Sequence, residues 1–84
     1  HMMKLKKLGN NVTLVKFDTC EVLYSYETPV AALRYSDHEY LKTNQFWSVT
    51  TSRHINQWLQ GVTAHEVPQS YFETLVTAKT GDDA

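Results

Sequence analysis

The spacing of apolar residues changes near Thr50, and this change constrains the fold more than any other feature of the sequence. Before it, short β-branched and aromatic segments such as 12–17 (VTLVKF) are typical of strands. After it, Ile55, Trp58 and Leu59 recur at helical spacing. We therefore predict an α+β fold in which the strands come first and the helices last.

The first half of the chain predicts an antiparallel β-meander of about four to five strands joined by short polar turns. In the strands at 12–17 and 22–26 we expect one face to meet the core and the other to meet water. Pro29 cannot donate to a strand ladder, so the strand near it should begin at or beyond this residue. Phe46 and Trp47 are expected to cover an edge or fill the core. The candidate strands are 3–8, 12–17, 22–26, 30–35 and 39–43, and their tyrosines, expected to pack in the core or across strands, are Tyr24, Tyr26, Tyr35 and Tyr40.

One or two C-terminal helices are predicted to pack on this sheet. The first ends before Gly61, which suits a left-handed C-terminal cap. The pattern Ser70-x-x-Glu73 has the form of a capping box, so a second helix is expected to run to about Lys79. The N-cap of the first helix is one of four hydroxyl residues, namely Ser48, Thr50, Thr51 and Ser52.

The length of 84 residues predicts one domain, which we place at 3–79. His1-Met2 is typical of a cloning remnant, 63–67 is expected to be a short connection, and 80–84 a flexible tail. No apolar run approaches the roughly 20 residues of a membrane span, and the single cysteine, Cys20, excludes an internal disulfide. A soluble, cytoplasmic protein without a cofactor is expected.

The net charge of −1 conceals blocks of opposite sign. Residues 1–17 contain four lysines and no acidic residue, whereas 18–41 contain five acidic residues and one arginine. This balance argues against a strong non-specific polyanion binder, although folding can still create a two-signed surface. The candidate nucleic-acid contacts are Lys4, Lys6, Lys7, Lys16, Lys42 and Arg53.

The outer face of the first helix is the candidate binding site. Arg53, Asn56, Gln57 and Gln60 lie at i, i+3, i+4 and i+7, so they share one exposed face that carries no acid. Such side chains make bidentate contacts to base edges, and hydroxyls at a helix start suit a phosphate. The same pattern is also the ordinary polar outside of an amphipathic helix. The helix start and the margin of this face add Thr50, Thr51, Ser52 and His54 to the candidate binding residues.

Catalytic and metal sites have weaker support in the sequence. A structural zinc site needs about four convergent ligands, but His38, His54, His65 and Cys20 match no common spacing. No nucleophile elbow, phosphate loop or dinucleotide fingerprint is present. We predict that the chain is not an enzyme. The alternative hypothesis is catalysis by His54 together with a nearby hydroxyl group.

Two segments carry a family resemblance. They are Ser25-Tyr26-x-Thr28-Pro29-Val30-Ala31 and Ser48-x-Thr50-Thr51-Ser52-Arg53-His54-Ile55-Asn56-x-Trp58-Leu59. Over roughly 12–60 the chain resembles a family of short uncharacterised domains found largely in phages and other mobile elements. The resemblance implies an origin in such a genome and a non-enzymatic accessory role, and it carries over no activity residue by residue.

Two functional hypotheses follow. The first is a protein-binding module, directed at a host protein in the host cytoplasm, that uses the outer face of the first helix and neighbouring loops. The second is a nucleic-acid-binding protein that uses the lysine hairpin with Arg53, Asn56 and Gln57.

Overall fold

The computed structural model describes residues 3–81 of the chain. It contains one six-stranded sheet and two helices, which confirms the predicted α+β class. His1-Met2, the predicted cloning remnant, and residues 82–84 of the predicted tail lie outside the described residues. The elements are β1 Lys4–Gly9, β2 Val12–Lys16, β3 Cys20–Ser25, β4 Thr28–Arg34, β5 Glu39–Thr43, α1 Val49–Leu59, β6 His65–Val67 and α2 Gln69–Gly81.

The sheet follows chain order, with β1 to β5 antiparallel as predicted and β6 parallel to β5. A parallel neighbour requires a crossover, and α1 supplies it. The expected connection at 63–67 was wrong, because its last three residues form β6. This short strand has no alternating pattern of its own, and its pairing with Leu41, Lys42 and Thr43 exists only once β5 has formed.

The two helices cover opposite faces of the sheet, so the expectation of one wet face in the strands at 12–17 and 22–26 was wrong. Ile55 and Leu59 of α1 pack on one face, and Phe72 of α2 packs on the other. The molecule therefore has three layers, and β2 to β4 are buried on both sides. The strand residues of the α1 face are Val12, Leu14, Leu23, Val30 and Ala31, and those of the α2 face are Val15, Phe17, Cys20, Val22, Ala32 and Leu41.

Two strand ends differ from the prediction around the β3–β4 turn. Tyr26 lies in the turn with φ 58° rather than in β3, and its N–H donates to the carbonyl of Asn11 at 2.7 Å. Strand β4 begins at Thr28, so it includes Pro29. Because β4 pairs with β5 only from Ala31 onwards, Pro29 lies where β4 has a partner strand on one side only.

The helix ends are set by local backbone geometry. At the end of α1 both Gln60 (φ 51°) and Gly61 (φ 87°) are left-handed, and Gln60 rather than the predicted Gly61 is the cap. Helix α2 begins at Gln69, directly after Pro68, so Ser70 lies inside its first turn and the predicted capping box is wrong. The helix continues to Gly81, past the predicted start of the tail. Within the described part of the chain, neither helix has the length and apolarity to span a bilayer.

Candidate interaction surface

The start of α1 is tied to the sheet by buried hydroxyl groups. Ser48 is the N-cap, since its Oγ accepts from the Thr51 N–H at 3.1 Å and also lies 3.2 Å from Thr51 Oγ1. Thr51 Oγ1 is in turn 2.9 Å from Oγ of Ser25, at the end of β3. Ser25 and Thr51 are only 1% and 6% exposed, so each buried hydroxyl has its partner inside the protein.

His54 completes this network from the next turn of α1. Its Nδ1 lies 2.7 Å from Ser25 Oγ, and its ring centroid lies 5.9 Å from that of Tyr26. The network therefore joins residues of both motifs, Ser25 and Tyr26 from the first and Ser48, Thr51 and His54 from the second. A serine beside a histidine is a feature of hydrolases, but the Ser25 hydroxyl is buried and out of reach of a substrate in this conformation. The geometry suits a positional role, which is to fix α1 on β3.

The structure divides the candidate binding residues of α1 by exposure. Arg53, Asn56, Gln57 and Gln60 are exposed, together with Thr50 at the helix start. Ser52 and His54 are half-buried. Thr51 has to be removed from the candidate site, because its hydroxyl is buried between Ser48 and Ser25.

A groove flanks each side of this polar helix face. One groove, of about 390 Å³, separates α1 from the β1–β2 turn, and His54, Gln57 and Gln60 line it. The other, of about 230 Å³, separates α1 from the end of β5, and Ser52 and Asn56 line it. The predicted face thus lies between two grooves, with Asn56 lining one of them and Gln57 and Gln60 lining the other.

Large apolar side chains are exposed at the end of the sheet where α1 begins. Phe46 is 71% exposed, Val49 61% and Trp47 42%, and Tyr26 in the nearby β3–β4 turn is 52% exposed. Of the two roles expected for Phe46 and Trp47, filling the core was wrong, because both side chains are exposed. We name Tyr26, Phe46, Trp47 and Val49 the aromatic rim. The sequence holds a signal for one of its members, since Tyr26 is a specified position of the first motif segment.

The aromatic rim is held from its other side by Gln69 at the start of α2. The Trp47 Nε1–H donates to Gln69 Oε1 at 3.2 Å. The amide Nε2 of Gln69 donates to the carbonyl of Pro29 at 2.7 Å and to Glu73 Oε2 at 3.0 Å. The loop before α1 therefore has an anchor at Trp47 as well as at Ser48.

The candidate basic residues do not share one place in the sheet. Lys4, Lys6 and Lys16 lie on the α1 side by register, since Lys6 is opposite Leu14 and Lys4 is opposite Lys16. Lys7 alternates to the other side. Lys42 is on β5, separated from β1 by three strands. Its ladder partner on β6 is Glu66, so an acidic residue stands directly opposite that lysine.

Residues with metal-binding chemistry are also dispersed. Across residues 3–81 no three histidine, cysteine or acidic side chains converge on a point where they could hold an ion. His65 instead contacts Glu39 through Nε2, at the beginning of the β5–β6 pair.

Comparison with known proteins yields a family. No curated protein and no solved structure matches the chain. One family model covers β1 through the start of α2, a wider range than the two motif segments span, and its description confirms the expectation of an uncharacterised family. The chain belongs to DUF8033, a family of unknown function, over residues 3–74.

Proposed function

We propose that this chain is a small, non-enzymatic protein-binding module whose partner contacts the aromatic rim and the adjoining polar face of α1. The observation that carries the proposal is that three large apolar side chains are exposed within the four-residue segment 46–49. They are Phe46, Trp47 and Val49. Tryptophan and tyrosine are enriched among the residues that dominate protein–protein binding energy. Exposed apolar clusters rimmed by polar residues mark interaction sites more often than chance.

Part of this surface is already held in a fixed conformation by hydrogen bonds, and this favours binding. Trp47 donates a hydrogen bond to Gln69, and Ser48 accepts one from Thr51, so the last two residues before α1 are fixed. Side chains that are already ordered lose less conformational entropy when a partner binds, which leaves more of the burial free energy as affinity. Exposed Arg53, one turn into α1, supplies a charged contact beside the apolar surface.

The resemblance of the two motifs to phage and mobile-element domains supports the remaining parts of the proposal. We place the chain in a phage or mobile genome and its action in the cytoplasm of the host cell. The partner is then a host protein, because a small accessory domain without its own reacting groups acts by occupying a surface of another protein. The burial of Ser25 beside His54 supports the non-enzymatic role.

The test is affinity capture from bacterial lysate followed by titration against each purified candidate. The variant Phe46→Ser, Val49→Ser removes two exposed apolar groups, and Leu5→Ser is the matched control because Leu5 is 67% exposed on β1. We expect the double variant to bind the partner at least tenfold more weakly, roughly the loss of a modest binding hot spot, and the control to bind normally. Equal loss in both variants, or retention of every partner by Phe46→Ser, Val49→Ser and by Arg53→Glu, Gln57→Ala, would contradict the proposal.

The nucleic-acid hypothesis has one specific observation in its favour. Lys4 and Lys16 face each other directly across β1 and β2, with Lys6 beside them, although like charges in such pairs are unfavourable. Fluorescence anisotropy with DNA and RNA at about 50 mM salt, where phosphate contacts are strongest, separates the two hypotheses. Binding that Lys4→Gln, Lys6→Gln abolishes and Phe46→Ser, Val49→Ser leaves intact would replace the protein partner by a nucleic acid.

A further inference from the structure

Besides the two grooves that flank α1, a cavity lies far from the aromatic rim, at the opposite end of the sheet and under α2. It has a volume of about 310 Å³, at the lower end of the range for small-molecule pockets. Its floor consists of the buried residues Cys20, Ala32 and Leu41, and its wall is formed by Tyr71 and Leu75 of α2. We name this cavity the α2 pocket.

The hollow has a simple origin in the packing of the sheet. Ala32 is flanked on the same face by Val22 and Leu41, so a methyl group stands between two longer side chains. Helix α2 makes its deepest contact through Phe72, which is fully buried. The next apolar residue toward the end of the helix, Leu75, is only half-buried, and space remains between it and Ala32.

The mouth of the α2 pocket carries two cations. Lys79 reaches back from α2 to contact the hydroxyl of Thr19, and Arg34 extends from the end of β4. Asp37 accepts from Nε and Nη2 of Arg34 at 3.0 and 2.9 Å, and the guanidinium holds the pKa of that carboxyl below its usual value. Within residues 3–81, the contact of the third nitrogen, Nη1, is a long one of 3.5 Å to the Tyr71 hydroxyl.

The floor of the pocket brings no opposing negative charge. Burial raises the pKa of the Cys20 thiol above its ordinary value, although the charge of Lys79 acts in the other direction. The thiol is therefore protonated at neutral pH and behaves as a small apolar group. Among the described residues, the two cations at the mouth, Lys79 and Arg34, outweigh the single carboxylate of Asp37. An apolar hollow with a net positive mouth is complementary to a molecule with an apolar body and one anionic end.

We propose that the α2 pocket binds a small amphipathic carboxylate, an aliphatic or aromatic acid, independently of the protein partner. The carboxylate lies between Lys79 and Nη1 of Arg34, and displaces the long contact to Tyr71. The apolar body lies against Ala32, Leu41 and Leu75. A neutral analogue gains only the apolar part of this contact, and an amine is repelled by both cations.

The test is an NMR titration of the ¹⁵N-labelled protein with octanoate, octan-1-ol and octylamine below their aggregation concentrations. It is run in the Phe46→Ser, Val49→Ser background, which removes two of the four exposed side chains of the aromatic rim and so weakens binding of a ligand there. Octanoate is expected to shift the amide signals of Cys20, Ala32, Arg34 and Leu75, and to bind at least about tenfold more tightly than octan-1-ol, the discrimination that about 1.4 kcal/mol provides. Octylamine is expected to bind most weakly.

Lys79→Met is expected to weaken the binding of octanoate and to bring its affinity closer to that for octan-1-ol, because it keeps the length of the side chain, removes its charge and leaves only the Arg34 contact to the carboxylate. Lys7→Met, on the exposed strand β1, is the matched control and should leave the affinity unchanged. Equal binding of octanoate and octan-1-ol, shifts confined to other parts of the sheet, or no change in Lys79→Met would each overturn the proposal. None of these outcomes bears on the protein partner, whose surface lies at the other end of the sheet.

Discussion

The two faces of the sheet are covered by helices that are held in different ways. Helix α1 connects two paired strands, is anchored by Ile55 and Leu59, and has buried hydrogen bonds to Ser25 at its start. Helix α2 follows the last strand, is anchored by one fully buried side chain, Phe72, and is tied at its start by Gln69. Helix α1 thus has two apolar anchors on the sheet, whereas α2 has one fully buried anchor and a pocket beneath its next turn.

The sharpest test of this difference compares Phe72→Ala with Ile55→Ala. Phe72 is 0% exposed and lies at the centre of the α2 face, so its truncation should cost about 3–5 kcal/mol, against about 2–4 kcal/mol for Ile55. The total stability expected for a domain of this size is only about 4–13 kcal/mol. Urea denaturation measures both losses, and hydrogen exchange shows whether Phe72→Ala unprotects α2 while α1 stays protected.

Phe46→Ala is the control, because the side chain is exposed and its loss should change the free energy of unfolding by less than about 0.5 kcal/mol. A larger loss for Ile55→Ala than for Phe72→Ala would show that the α2 face does not depend on one anchor.

The parts of the fold that sequence predicts are the ones whose determinants are local. The helical spacing of Ile55 and Leu59 and the hydroxyl groups before them specify α1 without reference to the sheet. Strand β6 and the placement of α2 on the opposite face depend on tertiary pairing, which no local pattern contains. One usable signal was present: 12–17 and 20–24 are nearly continuous apolar runs, and such runs are typical of strands buried on both faces.

The candidate site follows the same rule. Exposure of Arg53, Asn56 and Gln57 was predictable from helical spacing alone. The partnership of Ser25 with Thr51 and His54 was not, because those residues are far apart in sequence and meet only when α1 packs on β3. The α2 pocket is formed by residues of β3, β4, β5 and α2. Its cations, Arg34 and Lys79, are far apart in sequence, and the charge pattern of the chain does not indicate how close they lie in the fold.

The polar ties of the two helices can be compared directly. Ser25→Ala leaves the His54 Nδ1 and one side of the Thr51 hydroxyl without a partner in a buried site, so it should cost about 1–3 kcal/mol. Gln69→Ala removes hydrogen bonds that are closer to solvent, so it should cost about 0.5–1.5 kcal/mol.

Ser70→Ala is the control for both variants, since the exposed Ser70 hydroxyl lies inside the first turn of α2 and does not cap it. Equal losses in the free energy of unfolding for Ser25→Ala and Gln69→Ala, measured by urea denaturation, would show that the buried hydrogen bonds of Ser25 stabilise α1 no more than the more exposed hydrogen bonds of Gln69 stabilise α2. A loss of more than about 1 kcal/mol in Ser70→Ala, the usual value of an N-cap, would restore the capping box.

The smallest expected effect concerns a side-chain hydrogen bond near the start of β3, at the end opposite Ser25. The Tyr35 hydroxyl donates to Glu21 Oε1 at 2.8 Å, and burial together with this carboxylate raises the pKa of Tyr35 to about 12. In the unfolded chain a tyrosine ionises near pH 10, so the unfolded state loses its proton first and the folded state loses stability as pH rises from about 10 to about 12. Below about pH 10, Tyr35→Phe should cost about 0.5–1.5 kcal/mol, the value of one hydrogen bond. Above it, the variant should lose less stability than the parent chain as pH rises, which urea denaturation over this range measures.

Tyr24→Phe is the comparison on the α2 side, because burial and then Glu73 raise the pKa of Tyr24 as well. If Tyr35→Phe shows the same alkaline loss as the parent while Tyr24→Phe abolishes it, the alkaline sensitivity belongs to the α2 side alone, and the tie between Tyr35 and Glu21 contributes nothing to holding β3.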